Sequence, residues 1–184
     1  MTIRTEIMRV DNTPEPLASE IGRRNREIFP DVGPDAIDTR GIQWTPGEWC
    51  VVVYNNDEFG AYAEVLQREI LVGGQPVTVG GIGGVMSLPH MRGLGLGKAA
   101  MRALTDYICT EMNADAGMLY CAPHNVAYYQ SLGWHHITRQ ITYHQYDGTH
   151  VIDMRGGTDD NALVLPCGDF VFPTGDIDIR GQLW

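Results

Sequence analysis

The chain has 184 residues, 43% of them hydrophobic, and a formal net charge of −10. That length is enough to bury one core and short for two ordinary domains, so we expect a single domain over residues 1–184. An acidic chain without dense runs of Lys or Arg lacks the charge pattern of a nucleic-acid binder. No segment approaches the roughly 18 to 20 apolar residues that span a bilayer, and the start of the chain does not resemble a signal peptide. We therefore expect a cytoplasmic protein that binds neither nucleic acid nor membrane.

The first half of the chain contains one predicted helix and several predicted strands. Apolar periodicity predicts a helix over residues 15–29 that ends at a proline, followed by a loop or short broken helix over 30–38 that could form a wall of a substrate site. Alternation predicts strands over residues 49–54 and 60–70, joined as a hairpin.

The next predicted strand, residues 77–88, is rich in glycine. Its middle contains Gly80, Gly81, Gly83 and Gly84. Glycine inside a strand marks a bulge, or a close approach by another backbone or a ligand. A strand packed against a bulky neighbour is the other interpretation, and both stay open at this point.

The second half alternates between helix and strand. An apolar stripe predicts a helix over residues 98–112. The remaining predicted elements are a buried strand over 117–122, a short helix over 126–131, and strands over 134–146, 151–154 and 162–166, with a polar loop over 155–161. The order of elements predicts an α/β domain built on one mixed sheet.

The cysteines and histidines give no sign of a metal site. Cys50, Cys109, Cys121 and Cys167 are widely spaced beside apolar neighbours, without a CxxC pair. We expect them to be buried, reduced thiols. The adjacent pair His135-His136 would point to opposite faces of a strand, which is unsuitable for binding one metal ion. We therefore expect no metal.

The segment Arg92-Gly-Leu-Gly-Leu-Gly-Lys98 lies between a predicted strand and a predicted helix. Such a turn is a general anion site, because unpaired N–H groups converge at the positive end of the helix dipole. A Walker-type loop does not fit, since Ala99 follows Lys98 and Arg92 stands where the first glycine should be. A dinucleotide-binding turn does not fit either, because the glycine spacing is wrong.

Two motifs resemble the signatures of the Gcn5-related N-acetyltransferase superfamily. The stretch from Arg92 to Gly97 resembles its Arg/Gln-x-x-Gly-x-Gly/Ala signature, and Tyr128-Tyr-Gln-Ser-Leu-Gly-Trp134 resembles its second, a Tyr ahead of a Gly-aromatic pair. The resemblance covers residues 77–134. It implies the superfamily fold, a mixed and mostly antiparallel sheet flanked by helices, with a splayed strand before a pyrophosphate-binding turn. It also implies acetyl-CoA as cosubstrate.

The same resemblance implies roles for individual residues. The pyrophosphate would be held by the amides of Gly93, Leu94, Gly95, Leu96, Gly97 and Lys98, with added charge from Arg92 and Lys98. Backbone groups of Val85, Met86 and Ser87 would bind the pantetheine arm. Asn125 is either a further cofactor residue or a helix cap. Tyr129 matches the superfamily's Tyr and would protonate the departing thiolate, while Tyr128 is expected to point elsewhere.

Residues 49–134, an apolar strand ending at Pro166 and the final Trp184 together resemble the aminoglycoside 2'-N-acetyltransferases. This implies direct acetylation of an amine, with the Trp184 carboxyl group turned into the acceptor site. A cationic amino sugar such as kasugamycin is the favoured acceptor. A polyamine, an amino acid, a protein amine, or a non-catalytic acetyl-CoA-binding regulator are the alternatives. A homodimer is compatible with the superfamily, but no apolar stripe requires one.

The general base is not settled by the sequence. Gly83 stands where the resemblance places a carboxylate that acts through water. Either the Trp184 carboxyl group and ordered water remove the proton, or an acid such as Asp31, Asp159 or Asp160 does so. The same acids are candidates for lining a pocket that binds protonated amines, which are costly to desolvate without a partner.

Overall fold

The computed structural model describes residues 2–33, 37–38, 40–145, 147–154 and 161–184. Within these ranges three α-helices form: α1 (Glu15–Ile28), α2 (Leu96–Thr110) and α3 (Val126–Gln130). The first strands are β1 (Ile3–Arg9), β2 (Trp49–Asn55), β3 (Glu58–Val72), β4 (Gln75–Ser87) and β5 (Ala116–Cys121). The later strands are β6 (His135–Ile137), β7 (Gln140–Gln145), β8 (Gly148–Asp153), β9 (Asn161–Pro166) and β10 (Ile177–Asp178).

The strands of the described ranges form one ten-stranded mixed sheet. Its main path runs β6-β9-β5-β4-β3-β10-β7-β8, and β1 and β2 extend it from the first half of β3. Most pairs are antiparallel, while β4–β5 and β7–β10 are parallel. The predicted α/β fold with a mixed, mostly antiparallel sheet flanked by helices is confirmed.

Alternating side chains of β2 and β3 give the sheet two apolar faces. Val51 and Val53 pack on the side of α2, whose buried stripe includes Leu104 and Ile108. Cys50 and Val52 point the other way and pack with Ile21 of α1. This is the period-two alternation of a strand that is buried on both faces. The two helices thereby fix the strands that carry the candidate site.

Two predicted elements differ from the observed ones. The predicted strand over residues 134–146 is two strands, because β6 pairs with β9 whereas β7 pairs with β8 and β10 at the other end of the sheet. The predicted helix over 98–112 begins earlier, at Leu96, because Gly95 adopts a φ of 81° and serves as its N-cap.

None of the described helices is long and apolar enough to cross a membrane.

The expectation of four reduced thiols is wrong. Cys109, near the end of α2, forms a disulfide with Cys167, which directly follows β9. Cys50 and Cys121 are free and buried. The two bonded residues are 58 positions apart, and only the packing of the sheet brings their Cα atoms to 5.3 Å. Disulfides are rare in the cytosol, so this bond counts against the cytoplasmic location expected from the sequence.

We expect the disulfide to stabilise the folded protein by about 2 to 4 kcal/mol, because it closes a long loop in the unfolded chain. Reductant should therefore lower the urea midpoint of the wild-type protein. Thiol titration of the denatured chain should give two free thiols before reduction and four after it. The Cys109→Ser variant provides the control, since reductant should not change its midpoint. Four thiols in the unreduced protein would contradict the assignment.

Candidate active site

The candidate site begins where β4 and β5 separate. Their parallel pairing runs from Val79 opposite Ala116 to Ile82 opposite Leu119, and in the described part of the chain it continues no further. β4 itself continues to Ser87. Beyond Ile82 its backbone therefore faces a cleft on the side that β5 has left.

A bulge in the β3–β4 ladder accompanies this separation. Tyr62 pairs with Met86 and Glu64 pairs with Gly83, so β4 has one extra residue between these two pairs. Gly84 lies in the bulge with a φ of 58°, a conformation that side chains disfavour. Bulges bend the strand that carries them and redirect its side chains. This one occurs in the part of β4 that lines the cleft.

The four glycines of β4 support both interpretations left open by the sequence. An added Cβ at Gly80 would lie 2.4 Å from Ile108 of α2, and one at Gly81 would lie 2.3 Å from the Trp184 ring. These two glycines make room for bulky neighbours on opposite faces of the sheet. Gly83 and Gly84 instead lie at the cleft.

The glycine turn leads into an uncapped helix. Gly93 and Gly95 both have a φ of 81°. Among the described residues no side chain caps α2, and the first turn of this helix contains no acidic residue. The first N–H groups of such a helix have no intrahelical acceptor and carry the positive end of its dipole. The turn can therefore bind an anion.

The turn, the end of β4 and α3 converge at one point. A Cβ added to Gly97 would lie 3.0 Å from the Ser87 Oγ and 3.2 Å from the Tyr128 hydroxyl oxygen. Tyr128 was expected to point elsewhere, but its hydroxyl lies at the turn. Asn125 precedes α3 without a capping hydrogen bond from its side chain, so the helix-cap interpretation is not supported.

One cleft of about 1130 Å³ collects most of the predicted site residues. Those that line it are Asp31, Gly83, Val85, Met86, Ser87, Arg92, Gly97, Asn125, Tyr129 and Trp184. Leu96 is buried in the core, and Lys98 lines a smaller groove with Arg102 and Trp134. Asp159 and Asp160 lie outside the described residues.

Tyr129, one of the two predicted catalytic residues, is buried. It is 6% exposed, and its ring makes edge contacts with Tyr128 and Trp134. Burial, with a smaller effect of Cys121, raises the pKa of Tyr129, and burial also raises the pKa of Tyr128. Both hydroxyls therefore keep their protons at neutral pH and can act as donors.

Trp184 packs on one face of the sheet, over the last paired residues of β4 and β5. Its indole N–H donates to the Met118 carbonyl over 3.3 Å, and its ring packs against Tyr120 and beneath the Arg68 guanidinium. The main-chain carbonyl carbon of Trp184 is 3.2 Å from where a Cβ of Gly83 would be. This main-chain group therefore adjoins the cleft, at the side-chain position that the sequence leaves empty.

Two carboxylates of the cleft, Glu64 and Asp38, were missed by the sequence analysis. Glu64 is half-buried on β3 opposite Gly83. Asp38 is buried and bonded to Arg40 and to the Trp44 indole. Burial acts to raise the pKa of Asp38, but hydrogen bonds from Arg40 and from main-chain N–H groups outweigh it and lower this pKa below its usual value. Neither residue belongs to a motif, and only the cross-strand register points to Glu64.

Comparisons with known proteins agree with this architecture. Residues 27–137 match the family described as acetyltransferase (GNAT) domain. The fold is similar to Escherichia coli ElaA, with a TM-score of 0.59, 20% identity, and coverage of 89% of this chain and 99% of that one. It is also similar to an acyl-CoA N-acyltransferase from Pseudomonas aeruginosa, with a TM-score of 0.58, 18% identity, and coverage of 89% and 99%. No curated protein matches this chain.

A third similar structure is Arabidopsis thaliana NAA60 in complex with a bisubstrate analogue. Its TM-score is 0.62 at 13% identity, with coverage of 92% of this chain and 100% of that one. At identities of 13% to 20%, the similarity to these solved structures shows a shared fold and nothing further.

We expect the buried Tyr129 to make stability fall at alkaline pH. An unfolded tyrosine ionises near pH 10, whereas burial raises the pKa of Tyr129 in the folded protein. The contribution of Tyr129 to the free energy of unfolding is thus fully present below about pH 10 and is lost as the pH rises above that value. Urea unfolding between about pH 9 and about pH 11 should show a smaller loss in Tyr129→Phe than in wild type. An equal loss in both proteins would contradict the prediction.

Proposed function

This chain belongs to the GNAT acetyltransferase family, and on that premise we propose that it transfers the acetyl group of acetyl-CoA directly to an amine of a small cationic acceptor. An amino sugar is the favoured class, with an aminoglycoside such as kasugamycin as the first candidate. The observation that carries the proposal is the free backbone edge of β4, which ends at an uncapped helix in a cleft that also contains carboxylates.

The residues at the β4 end of the cleft suit acetyl-CoA. The unpaired strand edge over residues 83–87 offers backbone groups to an amide-containing pantetheine arm. The start of α2 offers N–H groups to a pyrophosphate, and the exposed Arg92 adds positive charge. Lys98 and Arg102 line a separate groove beside α3, where they can meet a further phosphate.

The other end of the cleft suits a cationic amine. Glu64, the exposed Asp31 and the main-chain carbonyl group of Trp184 adjoin it. The nearby Asp38 is already neutralised by Arg40. A protonated amine that enters such a pocket exchanges water for carboxylate partners, which offsets the cost of its desolvation.

Tyr129 is proposed as the proton donor to the departing thiolate. The hydroxyl must be protonated to act, and burial keeps it so at neutral pH. A free thiol titrates near 8.5 and a free tyrosine near 10. Burial raises the pKa of Tyr129 further, so the transfer is uphill and depends on alignment in the site.

The proposal is tested by thiol release from acetyl-CoA with a panel of amines. The panel contains kasugamycin, gentamicin, tobramycin, spermidine and a lysine peptide, and mass spectrometry identifies any product. A mass gain of one acetyl group on an amino sugar supports the favoured acceptor. Acetylation of only the peptide or the polyamine would overturn that choice of acceptor, and no reaction with any amine would contradict the proposed activity.

We expect Tyr129→Phe and Tyr128→Phe to have different kinetic effects. Loss of a general acid should lower kcat by about 100-fold in Tyr129→Phe. The Tyr128 hydroxyl lies at the pyrophosphate turn, so its loss should mainly raise the KM for acetyl-CoA. Steady-state kinetics with the best acceptor, supported by calorimetric titration of acetyl-CoA, measures both effects. Unchanged kcat in Tyr129→Phe would remove it from the mechanism.

A further inference from the structure

β4 has two adjacent residues without side chains where it lines the cleft. Gly83 and Gly84 occupy the part of β4 that faces the acceptor end of the cleft. An ammonium group cannot attack a thioester until it has lost a proton. If the proposed function holds, a proton acceptor must therefore come from another element.

Glu64 reaches this position from the neighbouring strand. It pairs with Gly83 across the β3–β4 ladder, at the edge of the bulge. A Cβ added to Gly84 would lie 3.7 Å from the Glu64 Cδ and 3.8 Å from its Oε1. The carboxylate thus lies beside the surface that the two glycines leave open. Glycine at these positions on β4 keeps the space in front of the carboxylate free.

Two hydrogen bonds orient the Glu64 carboxylate. The Gly47 N–H donates to Oε2 over 2.8 Å, and the Tyr62 hydroxyl donates to Oε1 over 2.8 Å. A Cβ at Gly47 would lie 2.4 Å from the Glu64 Cβ, so the close approach of this loop requires glycine. A carboxylate has about four lone-pair sites, and these bonds use two of them. Oxygen sites remain for a substrate or a water.

Glu64 is a cleft carboxylate that is oriented by hydrogen bonds but not by a cation. In the described part of the chain no Lys or Arg forms an ion pair with it. Asp38, in contrast, is bound by Arg40 and by two main-chain N–H groups. A carboxylate that is half-buried, oriented and not paired with a cation can bind an incoming ammonium group and accept its proton.

Two titratable side chains lie around Glu64 in the described part of the chain. Tyr62 lies on the same strand and Cys50 lies on β2, while the main-chain carbonyl group of Trp184 lies beyond Gly83. Burial and the neighbouring Glu64 raise the pKa of Tyr62, and burial raises the pKa of Cys50. Both groups keep their protons, so Tyr62 remains a hydrogen-bond donor to Glu64 across the working range of pH.

We propose that Glu64 is the general base of the acetyl transfer and that Tyr62 is its positioning residue. The Glu64 carboxylate takes one proton from the bound ammonium group, directly or through one water, and the neutral nitrogen then forms a bond to the thioester carbonyl carbon. The carbon–sulfur bond breaks, the thiolate takes a proton from Tyr129, and the nitrogen loses its second proton to water. After release of the products Glu64 gives its proton to solvent and Tyr129 regains one from solvent, so that one proton is released in each turnover.

The test compares Glu64→Gln with the matched control Glu69→Gln, using the acceptor that wild type acetylates best. Glu69 is on the same strand but exposed, and it is bonded to Arg180. Glu64→Gln should lower kcat about 100-fold at neutral pH, with unchanged affinity for acetyl-CoA, whereas the control should match wild type. The loss should shrink as the pH rises, because more of the amine is already neutral.

Further variants separate a base from a binding or structural role. Glu64→Asp keeps the carboxylate and should retain more activity than Glu64→Gln. Tyr62→Phe should lower kcat by about 10-fold with little change in the acceptor KM, and the double variant Glu64→Gln/Tyr62→Phe should lose no more than Glu64→Gln alone. Calorimetric titration with acetyl-CoA and thermal unfolding confirm that each variant is folded.

The outcomes distinguish this inference from the proposed function. A higher acceptor KM with unchanged kcat in Glu64→Gln would make Glu64 a binding residue and overturn the assignment. Turnover by Glu64→Gln within about 3-fold of wild type across the pH range would also overturn the assignment, since loss of a general base lowers the rate far more. A wild-type protein that acetylates none of the amines would instead contradict the proposed function.

Discussion

The separation of β4 from β5 is the constraint on which the site depends. Buried N–H and C=O groups need partners, and two strands that part leave a row of them unpaired. Here the edge of β4 beyond Ile82 stays open to the cleft, and the indole of Trp184 donates to the Met118 carbonyl of β5 just before the strands part. A ligand with amide groups can complete that edge. The opening thus leaves backbone groups of β4 without strand partners, and the same groups can bind a ligand.

Glycine lets bulky side chains pack on both faces of β4 just before the strands part. Ile108 approaches β4 at Gly80, and the Trp184 ring approaches it at Gly81 from the opposite face. Both contacts are so close that neither glycine position has room for a Cβ. The C-terminal segment is held there by main-chain contacts, including the Thr45 N–H to the Leu183 carbonyl. The loop before β2 and the end of the chain thereby form one wall of the acceptor end. The same loop contributes the Gly47 N–H that orients Glu64.

The lining of the cleft supplies groups of both charges. The start of α2 and Arg92 provide positive potential, whereas Glu64 and Asp31 provide carboxylates. An anionic cosubstrate and a cationic acceptor would each find groups of opposite charge in the same cleft. The electrostatics of the lining are therefore compatible with the proposed reaction.

The sequence by itself determined the features that depend on neighbouring residues. The helices, most strands, the glycine turn and the α/β class follow from local periodicity and from the spacing of glycines. Tertiary structure decided the rest: Cys109 and Cys167 are 58 residues apart in sequence, and Glu64 faces Gly83 only through strand register. The orientation of Tyr128 toward Gly97 also depends on how α3 packs. Local patterns report the conformation of a segment, whereas contacts across the sheet depend on pairing and packing that no single segment contains.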